Sequence, residues 1–232
     1  MNATRAIALP TRETLLFVTR NLPCDSGCAV VDVGCGEGEL AFELQRRGHR
    51  VVALDRDEVA VHHARMRGVV DARVARWPAF DGHGFDAVIF ARSLHHIGDL
   101  DASVARACDA LRAGGRVIVE DFAYRDVDPR LVTWFVERLE RIGTGGDAFL
   151  QSLVEAKHPM EAWRARPFEL FSIDAMRAAL ARGLEIVVDE DAPYFYRFPS
   201  EAHADRLFES EVVYARELGV PMLGRRLVAQ KR

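Results

Sequence analysis

The sequence predicts an α/β fold, a doubly wound and mostly parallel sheet. Three observations carry this. Short apolar runs alternate with helical patterns through the first half of the chain. The runs are apolar on both faces, which suits strands buried between helix layers. A turn rich in glycine joins the first run to the first of these helices, "VVDVGCGEGEL", Val30–Leu40. Strand–helix alternation at this spacing is the pattern of parallel crossover units.

Taken in order, Val30–Val33 is the first strand, and Glu37–Arg47 is a helix closed by Gly48. Val51–Leu54 is the second strand and Glu58–Met66 the next helix. A weak strand lies at Ala72–Val74, and Ala87–Ala91 is a clear one, preceded by Asp86. Helix Asp101–Arg112 carries Val104, Cys108 and Leu111 at helical spacing and stops at Gly114–Gly115; Val117–Val119 is strand again. The rhythm then breaks. Pro129–Ile142 is a helix with Leu131, Phe135, Leu139 and Ile142 on one face, followed by a helical piece at Ala148–Ala156 and the aromatic, arginine-rich stretch Met160–Phe168. With no strand in Pro129–Glu169, this region reads as a helical insertion. Ser172 then caps a helix, Ile173–Arg182, which Gly183 closes. Glu185–Val188 is a strand, Tyr194–Phe198 a second β-like run, Ser200–Leu218 a long helix capped by its serine, and Arg226–Gln230 a last strand.

The 232 residues are 49% hydrophobic with a net charge of −4, enough apolar material for a sizeable core and no excess charge to draw the chain onto nucleic acid or an anionic membrane. The expected organisation is one domain, 1–232, with an N-terminal helical cover at 1–28 and a helical insertion at 125–170. Cys24, Cys28, Cys35 and Cys108 match neither a CxxC pair nor a disulfide framework, which points to reduced thiols and no metal. No signal-peptide pattern and no membrane-length apolar run is present, so the expected address is the cytoplasm.

The glycine turn is the first chemical signal. Gly34, Gly36 and Gly38 follow a strand and precede a helix, at the carboxyl end where ligands of open α/β sheets bind. Asp55 follows the second strand, at the distance where an acid accepts ribose hydroxyls. Together they indicate an adenosine-containing ligand. A dinucleotide fingerprint requires G-x-G-x-x-G; here Gly34-x-Gly36 lacks the third glycine in register. Asp32, Glu37 and Glu39 also crowd the turn with negative charge, favouring a cationic ligand over a pyrophosphate.

At this point the chain resembles a family. "VVDVGCGEGEL" looks like motif I of the class I S-adenosylmethionine-dependent methyltransferases. "VVALDRD", "GFDAVIFARSLHHI", "ALRAGGRVIVEDF" and "LFSIDAMRAALARGLEIV" resemble later motifs of the same family in the same order. The resemblance implies a seven-stranded sheet with an antiparallel last strand. It also implies S-adenosyl-L-methionine as cofactor, with Gly34, Cys35 and Gly36 against its methionine part. Asp32 would hold the loop or the ammonium, Asp55 the ribose, Arg56 the flank of the adenine; Ala91, closing the fourth strand, joins them. Many relatives carry an acid after the third strand. This chain has none before Asp81, and Arg76 or Trp77 is expected at the adenine instead, Trp77 by stacking.

His95 and His96 follow the fourth strand and are the candidate catalytic bases, against the plainer reading of packing or capping. Asp121 and Tyr124 read as a polar rim. Trp134, Phe135, Phe149, Trp163 and Phe168 read as core contacts, and His158, Arg164 and Arg166 as a solvated face. The expected activity is methyl transfer to a small-molecule acceptor, with the insertion choosing the acceptor. The alternatives are a nicotinamide-dependent oxidoreductase and a non-catalytic S-adenosylmethionine-binding protein.

Overall fold

The computed structural model describes residues 7–165 and 171–232. The expectations for Arg166 and Phe168 lie outside the described residues. The chain divides into two compact units.

The larger unit comprises residues 11–121, 171–190 and 226–232 and holds most of the sheet. Its strands and helices run α1 (Leu9–Asn21), β1 (Ala29–Val33), α2 (Glu39–Arg46), β2 (Arg50–Asp55), α3 (Glu58–Arg67), β3 (Asp71–Val74), β4 (Phe85–Ala91), α4 (Leu100–Ala110) and β5 (Leu111–Phe122). Later come α8 (Ile173–Ala181), β6 (Glu185–Ala192) and β7 (Gly224–Gln230). The sheet has seven strands in the order β3-β2-β1-β4-β5-β7-β6. From β1 the chain steps outward to β2 and β3, then returns beside β1 for β4. That reversal of direction is the switch point at which the loops after β1 and β4 diverge and leave a crevice.

Local sequence accounts for these boundaries. Asp57 caps α3 by accepting from Val59 N–H, Asp99 caps α4 from Ala102 N–H, and Ser172 caps α8 from Ala175 N–H, as its position in the sequence predicts. Gly68 closes α3 at φ 104°. The central strands are built from Val30, Val31, Ala87, Val88, Phe90, Val117, Ile118 and Val119, all buried, so both faces of the sheet are covered.

Pairing among β3, β2, β1, β4 and β5 is parallel. The expectation of a mostly parallel sheet is nevertheless corrected: the sheet is mixed. Near one end of β5, Gly114 N–H donates to Lys231 O and Lys231 N–H to Gly115 O; past its other end, Ala123 N–H donates to Leu223 O. β7 therefore runs opposite to β5. It also runs opposite to β6, with Gly224 against Ala192 at one end and Arg232 paired with Glu185 at the other. The reason is topological: β7 is inserted between β5 and β6, and an apolar strand pattern carries no sign of direction. The antiparallel last strand that the family resemblance implies is present.

The cysteine expectation is also corrected. Cys24 and Cys28 are joined by a disulfide, with Cα atoms 6.0 Å apart, while Cys35 and Cys108 are free thiols. A spacing of four in the loop before β1 brings the two Cα atoms within bridging range, which a search for CxxC overlooks.

The smaller unit comprises residues 122–170 and 191–225 with the first ten residues, of which the first six are outside the described set. It contains α5 (Pro129–Ile142), α6 (Ala148–Glu155), α7 (Pro159–Arg164) and α9 (Ala204–Leu218). Asp128 and Asp147 cap α5 and α6. Its core is aromatic. Trp163 is fully buried, stacks on Tyr124 at 5.2 Å and donates Nε1–H to Tyr124 O at 2.9 Å. Trp134 and Phe135 are buried and Phe149 packs on the same cluster, as core contacts should. The β-like run Tyr194–Phe198 is instead a 3-10 turn at Phe195–Arg197. Its rings are drawn into the core, with Phe135 and Phe195 4.5 Å apart. Ser200 does not cap α9, because a further 3-10 turn, Glu201–His203, intervenes and His203 is the cap residue.

Glu211 of α9 is buried and accepts from the backbone N–H groups of Tyr194, Phe195 and Leu223. Burial pushes its carboxyl up to about 8, against the opposing pull of those three donors and Arg197. Its folded value lies above its unfolded one. The folded state thus holds a proton that the unfolded chain releases near pH 4.5, and stability falls as pH rises from there toward 8. Urea titrations at pH 5.5 and 7.5 are expected to show this decline, up to about 1.4 kcal/mol per pH unit for one proton, and Glu211→Gln is expected to flatten it.

Candidate functional site

The glycine turn sits at the switch point and its three glycines serve three ends. A Cβ on Gly34 would lie 2.5 Å from Ser93 Cβ, so this glycine lets the turn pass the loop after β4. A Cβ on Gly38 would lie 2.7 Å from Ala64 Cβ, so this one lets α2 pack on α3. Gly36, at φ 55°, would project its Cβ into open space with nothing within 4 Å. Only Gly36 leaves room for a ligand.

Four of the turn's amides are already used. Gly34 and Cys35 N–H both donate to Leu54 O, Gly38 N–H to Cys35 O, and Gly36 N–H to Asp55 Oδ2 at 2.9 Å. An anion-binding turn presents free amides to its ligand; these four are committed within the protein. Asp55 also accepts from Asp57 N–H through Oδ1. The acid expected at a ribose thus buttresses the turn and keeps lone pairs on both oxygens for further donors.

Around the turn lies a cleft in two chambers, of about 460 and 390 Å³. The larger is lined by Asp55, Arg56, Ala75, Arg76, Trp77, Ser93, His96 and Ile97, among others; the smaller by Asp32, Cys35, Gly36, Ala91, Thr11 and Thr14, among others. Gly34 and Arg92 face both chambers. Except for His95, every residue expected at the site lines one chamber or the other. Arg56 and Arg76 are exposed at the rim. Trp77 is anchored in the core: its Nε1–H donates to Ser103 O at 3.1 Å and its ring packs on Phe80 and Phe90. It forms wall rather than a freely presented stacking plate.

Asp32 is the strongest electrostatic feature. It is 2% exposed, and its Oδ2 has no hydrogen-bond partner in the structure. Burial, reinforced by Asp55 and opposed by Arg92, pushes its carboxyl up to about 7. A buried, under-satisfied acceptor at a cleft wall calls for a donor, best a cationic one. Glu37 and Glu39 matter less than their sequence position suggests: Arg67 pairs with both, and Thr11 donates to Glu39 at 2.7 Å. Burial and the two acids Asp32 and Asp55 raise the Cys35 thiol far above its ordinary value, which leaves it neutral and unreactive.

Arg92 was not legible as a site residue. It is a non-glycine residue at φ 61°, a conformation that is uncommon away from Asn, Asp and Gly. The surroundings hold it there. Its N–H donates to Glu120 O at 2.7 Å, and its guanidinium reaches Thr14 at 3.2 Å and Glu120 at 3.4 Å. Glu120 is bound in turn by Arg226 through two bonds of 2.9 and 3.0 Å and by Thr14. This buried network ties α1, β5, β7 and the loop after β4 behind the smaller chamber. The two histidines occupy a 3-10 turn, Leu94–His96, just beyond Ser93. His96 reaches the larger chamber. His95 is buried, and its Nδ1 lies 2.7 Å from Asp121 Oδ1.

Residues 30–115 match the family model described as a methyltransferase domain. The ubiquinone biosynthesis O-methyltransferase of Methylocella silvestris is 36% identical over 130 residues, covering 50% of each chain. The chain spans about half the length of the curated relatives it matches. A methyltransferase from Mesorhizobium loti, described as S-adenosylmethionine-dependent, superposes with a TM-score of 0.62 at 20% identity, covering 96% of this chain and 98% of that one. The geranyl diphosphate C-methyltransferase of Streptomyces coelicolor A3(2) superposes with a TM-score of 0.62 at 16% identity, covering 95% and 76%. At these identities the two structures establish the fold alone.

The fold is thus that of the α/β methyltransferases. Residues 30–115, the stretch that matches the methyltransferase-domain model, carry the turn, Asp55 and the histidine pair. Among the described residues, no helix is long and apolar enough to cross a membrane.

Proposed function

We propose that this chain binds S-adenosyl-L-methionine across the divided cleft and transfers its methyl group to a small-molecule acceptor. The observation that carries the reading is Asp32, a buried carboxylate with an unsatisfied oxygen beside an open glycine. The residues fit this group: the methionine ammonium supplies the donor that Asp32 lacks, Gly36 admits the chain, and Asp55 takes the ribose. Arg56, Arg76 and Trp77 border the adenosine chamber, while Cys35 and Ala91 border the methionine chamber. When bound, the cofactor supplies an already activated methyl on a sulfonium. The protein's work is to align that carbon with the acceptor and to manage the acceptor's proton. His95 and His96 are the candidates for the proton.

The committed amides of Gly34, Cys35, Gly36 and Gly38 and the acid behind them count against the nicotinamide alternative, whose pyrophosphate needs free donors. If Asp32 meets the ammonium, affinity depends on its ionisation. Binding of S-adenosylhomocysteine is expected to strengthen as pH rises from 5.5 to 7.5, as Asp32 loses its proton near 7, and Asp32→Asn is expected to weaken binding and remove the slope. Calorimetry at three pH values checks both. A slope that survives in Asp32→Asn removes Asp32 from the role. Methyl transfer from labelled cofactor to any member of a metabolite library separates an enzyme from an inert binding protein.

A further inference from the structure

The smaller chamber holds a cation to which the reading above gives no task. Among the described residues that line it, Arg92 is the only Arg, Lys or His, and the other charged ones, Asp32, Glu37 and Glu39, are acids. Its guanidinium stands on the side of this chamber, because Nη1 donates to Thr14 Oγ1 at 3.2 Å and Thr14 lines the smaller chamber and not the larger. Nη1 also reaches Glu120 Oε2 at 3.4 Å. Nε and Nη2 make no hydrogen bond to the described residues, and the side chain is 38% exposed. Both groups keep their hydrogens for a ligand.

The charges around it do not cancel. Arg226 takes Glu120 Oε1 through two bonds of 2.9 and 3.0 Å, while Arg92 has only the long contact to Oε2, where Thr14 also donates. One carboxylate balances one guanidinium, so this group carries a surplus positive charge. Arg226 is buried, and the surplus therefore lies on Arg92, at the chamber wall. Glu37 and Glu39, which would repel an anion there, are both paired with Arg67. Arg92 is also near enough to Asp32 to oppose the rise of its carboxyl. The fold keeps an arginine at φ 61° to hold the side chain in this place, and backbone strain retained at a cleft is one way a fold aims a binding group.

We propose, resting on the cofactor reading above, that Arg92 binds the α-carboxylate of the cofactor's methionine part, so that the smaller chamber recognises a zwitterion, with the ammonium at Asp32 and the carboxylate at Arg92. Nε and Nη2 lie side by side on a planar guanidinium and match the two oxygens of a carboxylate. The turn offers that group little, since the amides of Gly34, Cys35, Gly36 and Gly38 are committed within the protein. Asp32 alone would accept any amine. Asp32 and Arg92 together select an α-amino acid end.

The test is isothermal titration of the full chain with S-adenosylhomocysteine, its decarboxylated form, which keeps the ammonium, and methylthioadenosine, which lacks both groups. Wild type is compared with Arg92→Gln and Arg92→Lys, each checked for folding by circular dichroism and thermal melting. If wild type does not bind S-adenosylhomocysteine, the cofactor reading fails and this assignment with it. With binding present, wild type is expected to prefer S-adenosylhomocysteine over the decarboxylated form by roughly 10- to 100-fold. Arg92→Gln is expected to remove that preference, leaving the affinities for the decarboxylated form and methylthioadenosine within about threefold of wild type. Arg92→Lys is expected to recover part of it, because lysine keeps the charge without the fork. Equal affinity of wild type for S-adenosylhomocysteine and its decarboxylated form overturns the assignment. So does a preference left unchanged in whichever variant folds. A uniform loss for all three ligands marks a merely structural arginine and overturns it as well.

Discussion

Gly36→Val is expected to abolish measurable binding of S-adenosylmethionine in a chain that still folds. The reason is local. At Gly36 a Cβ meets no protein atom within 4 Å, so a side chain there projects into the space assigned to the methionine part of the cofactor. Gly34 and Gly38 differ, because substitution there drives a Cβ into Ser93 or Ala64 and disturbs packing first. Valine at φ 55° also carries backbone strain of order 1–3 kcal/mol, so circular dichroism and thermal melting belong beside the binding measurement. Gly36→Ala separates the two effects. It shares the strain with far less bulk, and is expected to keep weakened binding. Undiminished affinity in folded Gly36→Val removes the turn from the cofactor site.

Glu120→Ala is expected to cause the largest loss of stability. Glu120 is 4% exposed and faces two cations and a hydroxyl: Arg226 through two bonds of 2.9 and 3.0 Å, Arg92 at 3.4 Å, and Thr14. Removing one member of a buried ion pair leaves the other charge without compensation, a cost of about 3–5 kcal/mol. In a chain of this size that corresponds to a fall in Tm on the order of 10 °C. The double variant Glu120→Leu with Arg226→Met removes both charges of the closest pair and is expected to recover a substantial part of the loss. Cofactor affinity is expected to fall in the single variant as well, because the same carboxylate holds Arg92 where the two chambers meet. A single-variant loss below about 1 kcal/mol contradicts this role for the network.

Much of the larger unit was readable from its sequence, and the reason is that its signals are local. Strands β1, β2 and β4 announce themselves as valine- and isoleucine-rich runs, and Asp57, Asp99 and Ser172 sit where helices begin. The glycine turn is contiguous, and Asp55 reaches it from 19 positions away. What escaped was long-range or without a local mark. The residues of β7 do not give its place between β5 and β6, and its antiparallel direction came from the family resemblance alone. Arg67 offsets Glu37 and Glu39 from the far end of α3. Asp121 looked like a rim residue because nothing near it in sequence names His95 as its partner. Arg92 looked like an ordinary residue after a strand, and only Glu120 and Thr14 give it a fixed place. The disulfide between Cys24 and Cys28 escaped because four-residue spacing matches none of the familiar cysteine patterns.

The central claim is that this cleft takes a cationic adenosyl cofactor rather than a dinucleotide. Isothermal titration of the full chain with S-adenosylmethionine, S-adenosylhomocysteine and NAD, under identical conditions at pH 7.5, tests it most directly. The account predicts saturable one-to-one binding of the first two and no binding of NAD. Binding of NAD with none of S-adenosylhomocysteine would contradict it.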